Sequence, residues 1–505
     1  MEDQQEQSSG DPHAVVVDIT SFAQAMEQEL AERHQHHGDG SVPCTPTIAM
    51  VHDLTRNVDE QEYDPHYVSI GPYHRKTTRK DIIREDDKLT SLYTILSRSS
   101  PGTTVQKYID GLAPLEGRAR SFYAHRFSEM NSFVFLRMLL LDACYLLHCF
   151  VNFNPQNSSS AANEQVMMSS PAPEAGDANI VREHGSPAAN GHAHAQGGDQ
   201  ETSTASAAGG GNKLEDGWVV RDVLYLAENQ IPYFVIDKIH NLAFSGSQDP
   251  QPPVKTIAQY ISSILQKQQY SMVELDDDAP PPGNLLHLLH MHFPEPKYAA
   301  SPPRIGETVG RCRTAMEYHI NGVNFKCCTI SAIGKARCIL DLTLDRASGT
   351  LVVPRLNIDA NTWCILRNLM ALEQLNPALG CHVTAYCSFM SQLACTTADV
   401  ELLSRRGVIE HRLGNNGEVA ALFSNLCKGI EFDPDDPGIN YLRATCQALD
   451  ELYRSRPRRW MALLVQKYSK NPWLAVGVMA GAFGLLCAIV QAVYSVLSYF
   501  QGAAK

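Results

Sequence analysis

Catalytic signatures are the first thing this chain lacks. No phosphate-cradling G-x-x-x-x-G-K-[ST], dinucleotide-type G-x-G-x-x-G, nucleophile elbow G-x-S-x-G or zinc-protease H-E-x-x-H occurs in its 505 residues. The fourteen cysteines include no C-x-x-C pair, so they read as scattered, reduced thiols of an intracellular compartment. The opening MEDQQEQSSG has neither a basic nor an apolar stretch, and no signal peptide is expected. Without Gly at position 2, and with QGAAK at the end, myristoylation and prenylation are unsupported. A basic balance is missing too: 42 Lys+Arg against 55 Asp+Glu give a formal charge of −13. Phosphate backbones are held by clustered Lys and Arg, so no nucleic-acid partner is expected.

Charge of either sign is absent from Trp473 to Phe500, twenty-eight residues with no Asp, Glu, Lys, Arg or His. About 20 helical residues cross a hydrocarbon core of about 30 Å, so this stretch reads as a single transmembrane helix. Trp473 stands at one end, and Tyr494, Tyr499 and Phe500 near the other, where aromatic rings favour the interface. Arg454, Arg456, Arg458, Arg459, Lys467 and Lys470 precede it and only Lys505 follows. That asymmetry predicts a tail-anchored protein whose bulk faces the cytosol. Neither plasma membrane nor endomembrane is specified by it. Gly477 and Gly481 are spaced for close helix–helix approach, which would permit a homodimer, although Gly and Ala are common in membrane helices anyway.

A second apolar run, Phe133–Phe153, is interrupted by Arg137, Asp142 and His148. A lipid-facing charge at mid-bilayer would cost about 2.5 kcal/mol or more, so a central core helix is the better reading. Between Asn154 and Asn212 there is no Leu, Phe, Tyr or Trp. Such composition cannot offset its ordering entropy by burial, and disorder is expected. The predicted organisation is therefore an N-terminal extension with an amphipathic helix (1–43), a first part of the folded domain (44–153), a disordered low-complexity insertion (154–212), a second part (213–470) and the membrane helix (473–500). Helical patterning covers about 81–99, 104–152, 360–376, 381–405, 417–428 and 438–470. Alternation and β-branched residues in Cys338–Pro354, with Arg346-Ala347-Ser348-Gly349 as a turn, predict a β-hairpin. The fold class is mainly α, a helical globular body with one small sheet.

No metal, cofactor or catalytic residue is assigned from the sequence. His287, His290 and His292 form the densest set of ligating residues, but a proline break follows and no Cys lies nearby. Asp433–Gly438 resembles a calcium loop only superficially, since Ala444 occupies the place of the bidentate Glu.

Several segments carry a family likeness. They are Ser69-Ile70-Gly71-Pro72-Tyr73-His74, Leu141-Asp142-Ala143-Cys144, Glu228-Asn229-Gln230-Ile231-Pro232-Tyr233-Phe234, Asn368-Leu369-Met370-Ala371-Leu372-Glu373-Gln374 and Asn471-Pro472-Trp473. In this order and spacing the chain, from about residue 44 to its end, resembles the plant family catalogued as domain of unknown function 247. It departs from that pattern at Ala143, where the resemblance leads one to expect Gly. The resemblance implies a plant protein with a C-terminal membrane helix and no established enzymatic activity. Some grass members are associated with pollen–stigma self-incompatibility, which suggests recognition or signalling.

The residues also have structural readings of their own. Ile231 before Pro232 is pushed out of helical conformation, Pro232 suits the first turn of a following helix, and Asn229 and Gln230 are placed to satisfy the backbone groups so freed. Tyr73, His74, Glu228, Asn229 and Gln230 are the candidate binding residues. A membrane-anchored interaction protein with the lipid bilayer and unidentified proteins as partners is the first expectation. The alternative is an enzyme of unfamiliar type, with a polar pocket near Tyr73, His74, Glu228 and Asn229.

Overall fold

A computed structural model describes residues 47–75, 80–152, 213–244, 252–276, 278–296, 308–309, 312–455 and 472–502. The N-terminal extension 1–43 with its expected amphipathic helix and the insertion 154–212 lie outside them. The described chain is mainly helical. Its principal helices are α1 (Glu85–Arg98), α2 (Val105–Leu112), α3 (Ser132–Asn152), α4 (Lys213–Val220), α5 (Tyr233–Phe244), α6 (Pro253–Gln268), α7 (Leu285–His290), α8 (Ala315–Ile320), α9 (Thr362–Leu375), α10 (His382–Leu393), α11 (Thr397–Arg405), α12 (Asn416–Leu426), α13 (Arg443–Arg454) and α14 (Pro472–Gly502).

Local chemistry sets the helix ends. Glu85, Asp86 and Asp87 crowd the first turn of α1, where the helix dipole favours negative charge. The patterning over 104–152 is broken by a non-helical stretch before Ser132. Likewise 381–405 divides at Thr396, whose hydroxyl and Asp399 form a capping box that starts α11. Helix α5 starts at Tyr233, so Pro232 sits one residue ahead of it, and its carbonyl accepts from the Val235 N–H at 3.0 Å.

The predicted hairpin is present. Strands β2 (Thr343–Asp345) and β3 (Thr350–Pro354) pair antiparallel, and β1 (Asn324–Cys328) joins β3 in parallel, Phe325 opposite Leu351. The structure adds a second sheet that patterning does not reveal, β4 (Leu356–Ile358) parallel to β5 (Ile409–His411). Three-residue strands whose partner lies some fifty residues away leave too short a period to read.

One apolar core includes Ile48, Phe150, Val219 and Leu449, so segments on both sides of the insertion share it. Helix α3 lies in its middle, packed against α1 and α5. The two long apolar helices differ in burial: 67% of Ser132–Phe150 is buried, against 0% of Met479–Val496. Helix α3 is thus a core helix. Helix α14, at 31 residues, is about 46 Å long and is apolar enough to span a membrane. Every described side chain on it is exposed.

Candidate functional site

Four of the five family-like segments converge on one polar seam inside the apolar core. It begins with the irregular chain 47–75, whose backbone groups find no sheet or long helix to satisfy them. A buried amide without a partner costs about 1–3 kcal/mol, and here side chains from the surrounding helices supply the partners. Helix α4 runs into a single π turn, Arg221–Tyr225. There the Asp222 carboxylate accepts from the N–H groups of His66, Tyr67 and Val68 at 2.6–3.1 Å. Arg221 donates to the Asp64 carbonyl at 3.0 Å.

The Asn229 side chain accepts from the Ile70 N–H at 2.7 Å and donates to the Val68 and Asp222 carbonyls. Gln230 donates to the Val223 and Leu226 carbonyls and accepts from the first amides of α7, Leu285 and Leu286. Its backbone carbonyl accepts from the Tyr123 hydroxyl at 3.3 Å. The Asn368 side chain, from α9, accepts from the Ala227 N–H and donates to the Glu62 carbonyl, both at 2.8 Å.

Asp142 supplies the other side of the seam. One carboxylate oxygen accepts from the Gly71 N–H at 2.8 Å, and the other pairs with the Lys88 ammonium at 2.6 Å. Both side chains are buried, and Lys88 also donates to the Ser69 carbonyl. Gly71 has φ +73°, and a Cβ there would collide with the Gln230 carbonyl oxygen. Ala143, beside Asp142, is buried without exposure in α3.

Glu228 is wholly buried and collects three groups: the Arg56 guanidinium at 2.6 and 2.7 Å, the Val51 N–H at 2.8 Å and the His74 imidazole at 3.1 Å. Arg56 also pairs with Asp64. Asp64, His74 and Glu228 have metal-ligand spacing, but a guanidinium already stands between the carboxylates as their cation. Tyr73 is half-buried. Its hydroxyl donates to the Ile48 carbonyl and meets His125 Nδ1, each at 3.1 Å, and its ring packs edge-on against Tyr123 and Phe127. Burial pushes its phenol up to about 12.

Tyr73, His74, Glu228, Asn229 and Gln230 therefore do lie together, along a packed seam. Next to Asp64 a surface depression of about 580 Å³ is lined by Gln61, Asp64, His66, Tyr67 and Trp218. Sequence reasoning misses Arg56, Lys88 and Asp222. The signal available for Asp142 is its lone carboxylate in an apolar run, which requires a buried cation; which cation is set only by the tertiary packing.

The three histidines of 287–292 separate. His287 Nδ1 accepts from the Gly283 N–H at 3.0 Å, and His292 Nδ1 meets the Leu288 carbonyl at 3.0 Å. His290 instead reaches Glu373 of α9, Nε2 to Oε1 2.9 Å, and His382 of α10 stands on the far side. At α14, an ideal Cβ on Gly477 or Gly481 would meet nothing within 4 Å. Trp473 and Tyr499 belong to the same helix.

A mainly α body whose motifs stitch an irregular N-terminal segment into its core, followed by an exposed apolar helix, defines the class. A family model described as "Plant protein of unknown function" matches residues 48–487, and the chain belongs to that family. A putative UPF0481 protein of Arabidopsis thaliana is 27% identical over 199 residues, 39% of this chain and 35% of that protein. Another UPF0481 protein of the same plant is 20% identical over 469 residues, 88% of this chain and 85% of that protein. No solved structure matches.

Proposed function

We propose that this plant protein is a membrane-attached, non-enzymatic interaction or signalling protein whose folded body faces the cytosol. The observation that carries the reading is α14, a 31-residue helix with every described side chain exposed. Exposed in water, its Val, Leu, Ile and Phe side chains would each forgo about 1.5–3 kcal/mol of burial; lipid tails remove that penalty. The basic residues Arg454 to Lys470 ahead of the helix support the cytosolic placement of the body.

The motif residues support interaction over catalysis. Asn229, Gln230 and Glu228 spend their polar atoms on backbone amides, carbonyls and Arg56, and pack the core rather than open a reaction site. In this reading the bilayer is one partner and proteins docking on the body are the others.

A fluorescent fusion of the full chain should localise to a membrane and resist alkaline carbonate extraction, and removal of residues 471–505 should release it to the soluble fraction. Release of the intact chain by carbonate would overturn the attachment. Proximity labelling in plant cells should recover a reproducible set of cytosolic or membrane proteins. A set no different from that of an anchor-only control would remove the interaction role.

A further inference from the structure

The geometry points to a divalent metal site of the zinc type, formed by His290, Glu373 and His382. Three helices bring these residues together: His290 ends α7, Glu373 lies in the last turns of α9, and His382 opens α10. Their ligating atoms all lie within 4.8 Å of one another and all three residues are buried. His290 Nε2 stands 2.9 Å from Glu373 Oε1, and His382 Nε2 stands 3.9 Å from the same oxygen. Ligands about 2.0–2.1 Å from a tetrahedral ion lie roughly 3.3 Å apart, and these two separations bracket that value.

A buried His–Glu hydrogen bond would account for His290 and Glu373 alone. It leaves His382 unexplained. Its Nε2 has no hydrogen-bond partner although it is buried and faces the pair, the two imidazole rings 4.7 Å apart. A buried nitrogen without a partner is costly, and no proton arrangement lets both imidazoles bond well to one carboxylate oxygen that already accepts from the Val383 N–H at 2.9 Å. A cation placed among the three atoms satisfies them together.

The outer groups are those a metal site uses to orient its ligands. Glu373 Oε2 accepts from the Thr384 N–H at 2.8 Å and its hydroxyl at 2.6 Å, fixing the carboxylate. The Phe293 carbonyl hydrogen-bonds to the His382 ring. With Nε2 unpartnered, that bond falls to Nδ1 and leaves the Nε2 lone pair directed at the cluster. Two imidazoles and one carboxylate are a zinc donor set, with water in the fourth position. Bound there, the ion clamps α7, α9 and α10, next to the seam that Gln230 builds on the start of α7.

The full chain, solubilised in detergent and stripped with EDTA, should take up about one zinc ion in competition with a chromophoric chelator. Cobalt in its place should give the visible bands of a four-coordinate site. His382→Gln and His290→Gln should each weaken zinc by roughly 10–100-fold or more while far-UV circular dichroism is unchanged, and His287→Gln should bind as the parent does. His382→Gln removes no hydrogen bond made through Nε2, so its folding is the less exposed of the two. A stripped, folded parent that takes up no zinc would overturn the site. So would uptake that both His→Gln variants match.

Discussion

At the residue scale, two buried side chains meet at one short loop. Asp142 receives the Gly71 amide and the Lys88 ammonium on separate oxygens. Removing one member of a buried ion pair strands the other charge, at about 3–5 kcal/mol. Asp142→Ala should therefore lower the stability of the detergent-solubilised chain by that order in chemical denaturation. Lys88→Met paired with Asp142→Leu should recover much of the loss. Gly71→Ala tests the same loop from the backbone side. A positive φ costs a non-glycine residue about 1–3 kcal/mol, and the collision with the Gln230 carbonyl adds to it. The variant should melt well below the parent, whereas Gly102→Ala, whose Cβ meets nothing within 4 Å, should show only the conformational part of the loss.

At the scale of elements, α3 and α14 make a pair. Similar apolar length leads one into the core and leaves the other bare. The distinction was legible in the sequence, because Arg137, Asp142 and His148 mark α3 as needing protein partners. Arg137 indeed pairs with Glu85 of α1 and Asp142 with Lys88. On α14 a Cβ at Gly477 or Gly481 would meet nothing within 4 Å, and small residues at this spacing permit close helix–helix approach. If α14 self-associates there, Gly477→Ile with Gly481→Ile should abolish most cysteine-independent cross-linking of the full chain in vesicles; an unchanged dimer yield would rule that face out.

The helices and the hairpin were readable because they rest on periods of 3.6 and 2 within a few consecutive residues. The β4–β5 ladder, the π turn at Arg221–Tyr225 and the His290–Glu373–His382 cluster were not. The ladder and the cluster join residues that lie tens of positions apart, and no hydrophobic period marks a single π turn. The candidate residues Glu228, Asn229 and Gln230 could be picked out as a segment, but Glu228 and Asn229 hold a loop more than 150 positions earlier, and Gln230 holds the start of α7 further along the chain.

At the scale of the whole molecule, half-buried neutral histidines tie stability to pH. Burial, with the neighbouring His290, holds His287 at about 4. Burial also lowers His148, with help from Arg98, and His240. In the unfolded chain these imidazoles take up protons near the ordinary value of about 6.5, while the folded chain resists. The stability they confer is complete above that value and is lost as pH falls towards the folded value. His287 alone should account for about 2 kcal/mol between pH 7 and pH 5. Thermal denaturation of the full chain should show a falling melting temperature across that window. A flat profile would contradict the half-buried neutral state.

The seam also sets the order in which the protein can be made. The Thr55 hydroxyl donates to the Gly429 carbonyl, Asn376 binds both the amide and the carbonyl of Thr47, and Asn368 holds Glu62. A nascent chain leaving the ribosome thus keeps some of the contacts of residues 47–75 open until nearly four hundred more have been translated. The N-terminal segment can therefore complete its seating only late in synthesis, once the chain as far as Gly429 has left the ribosome.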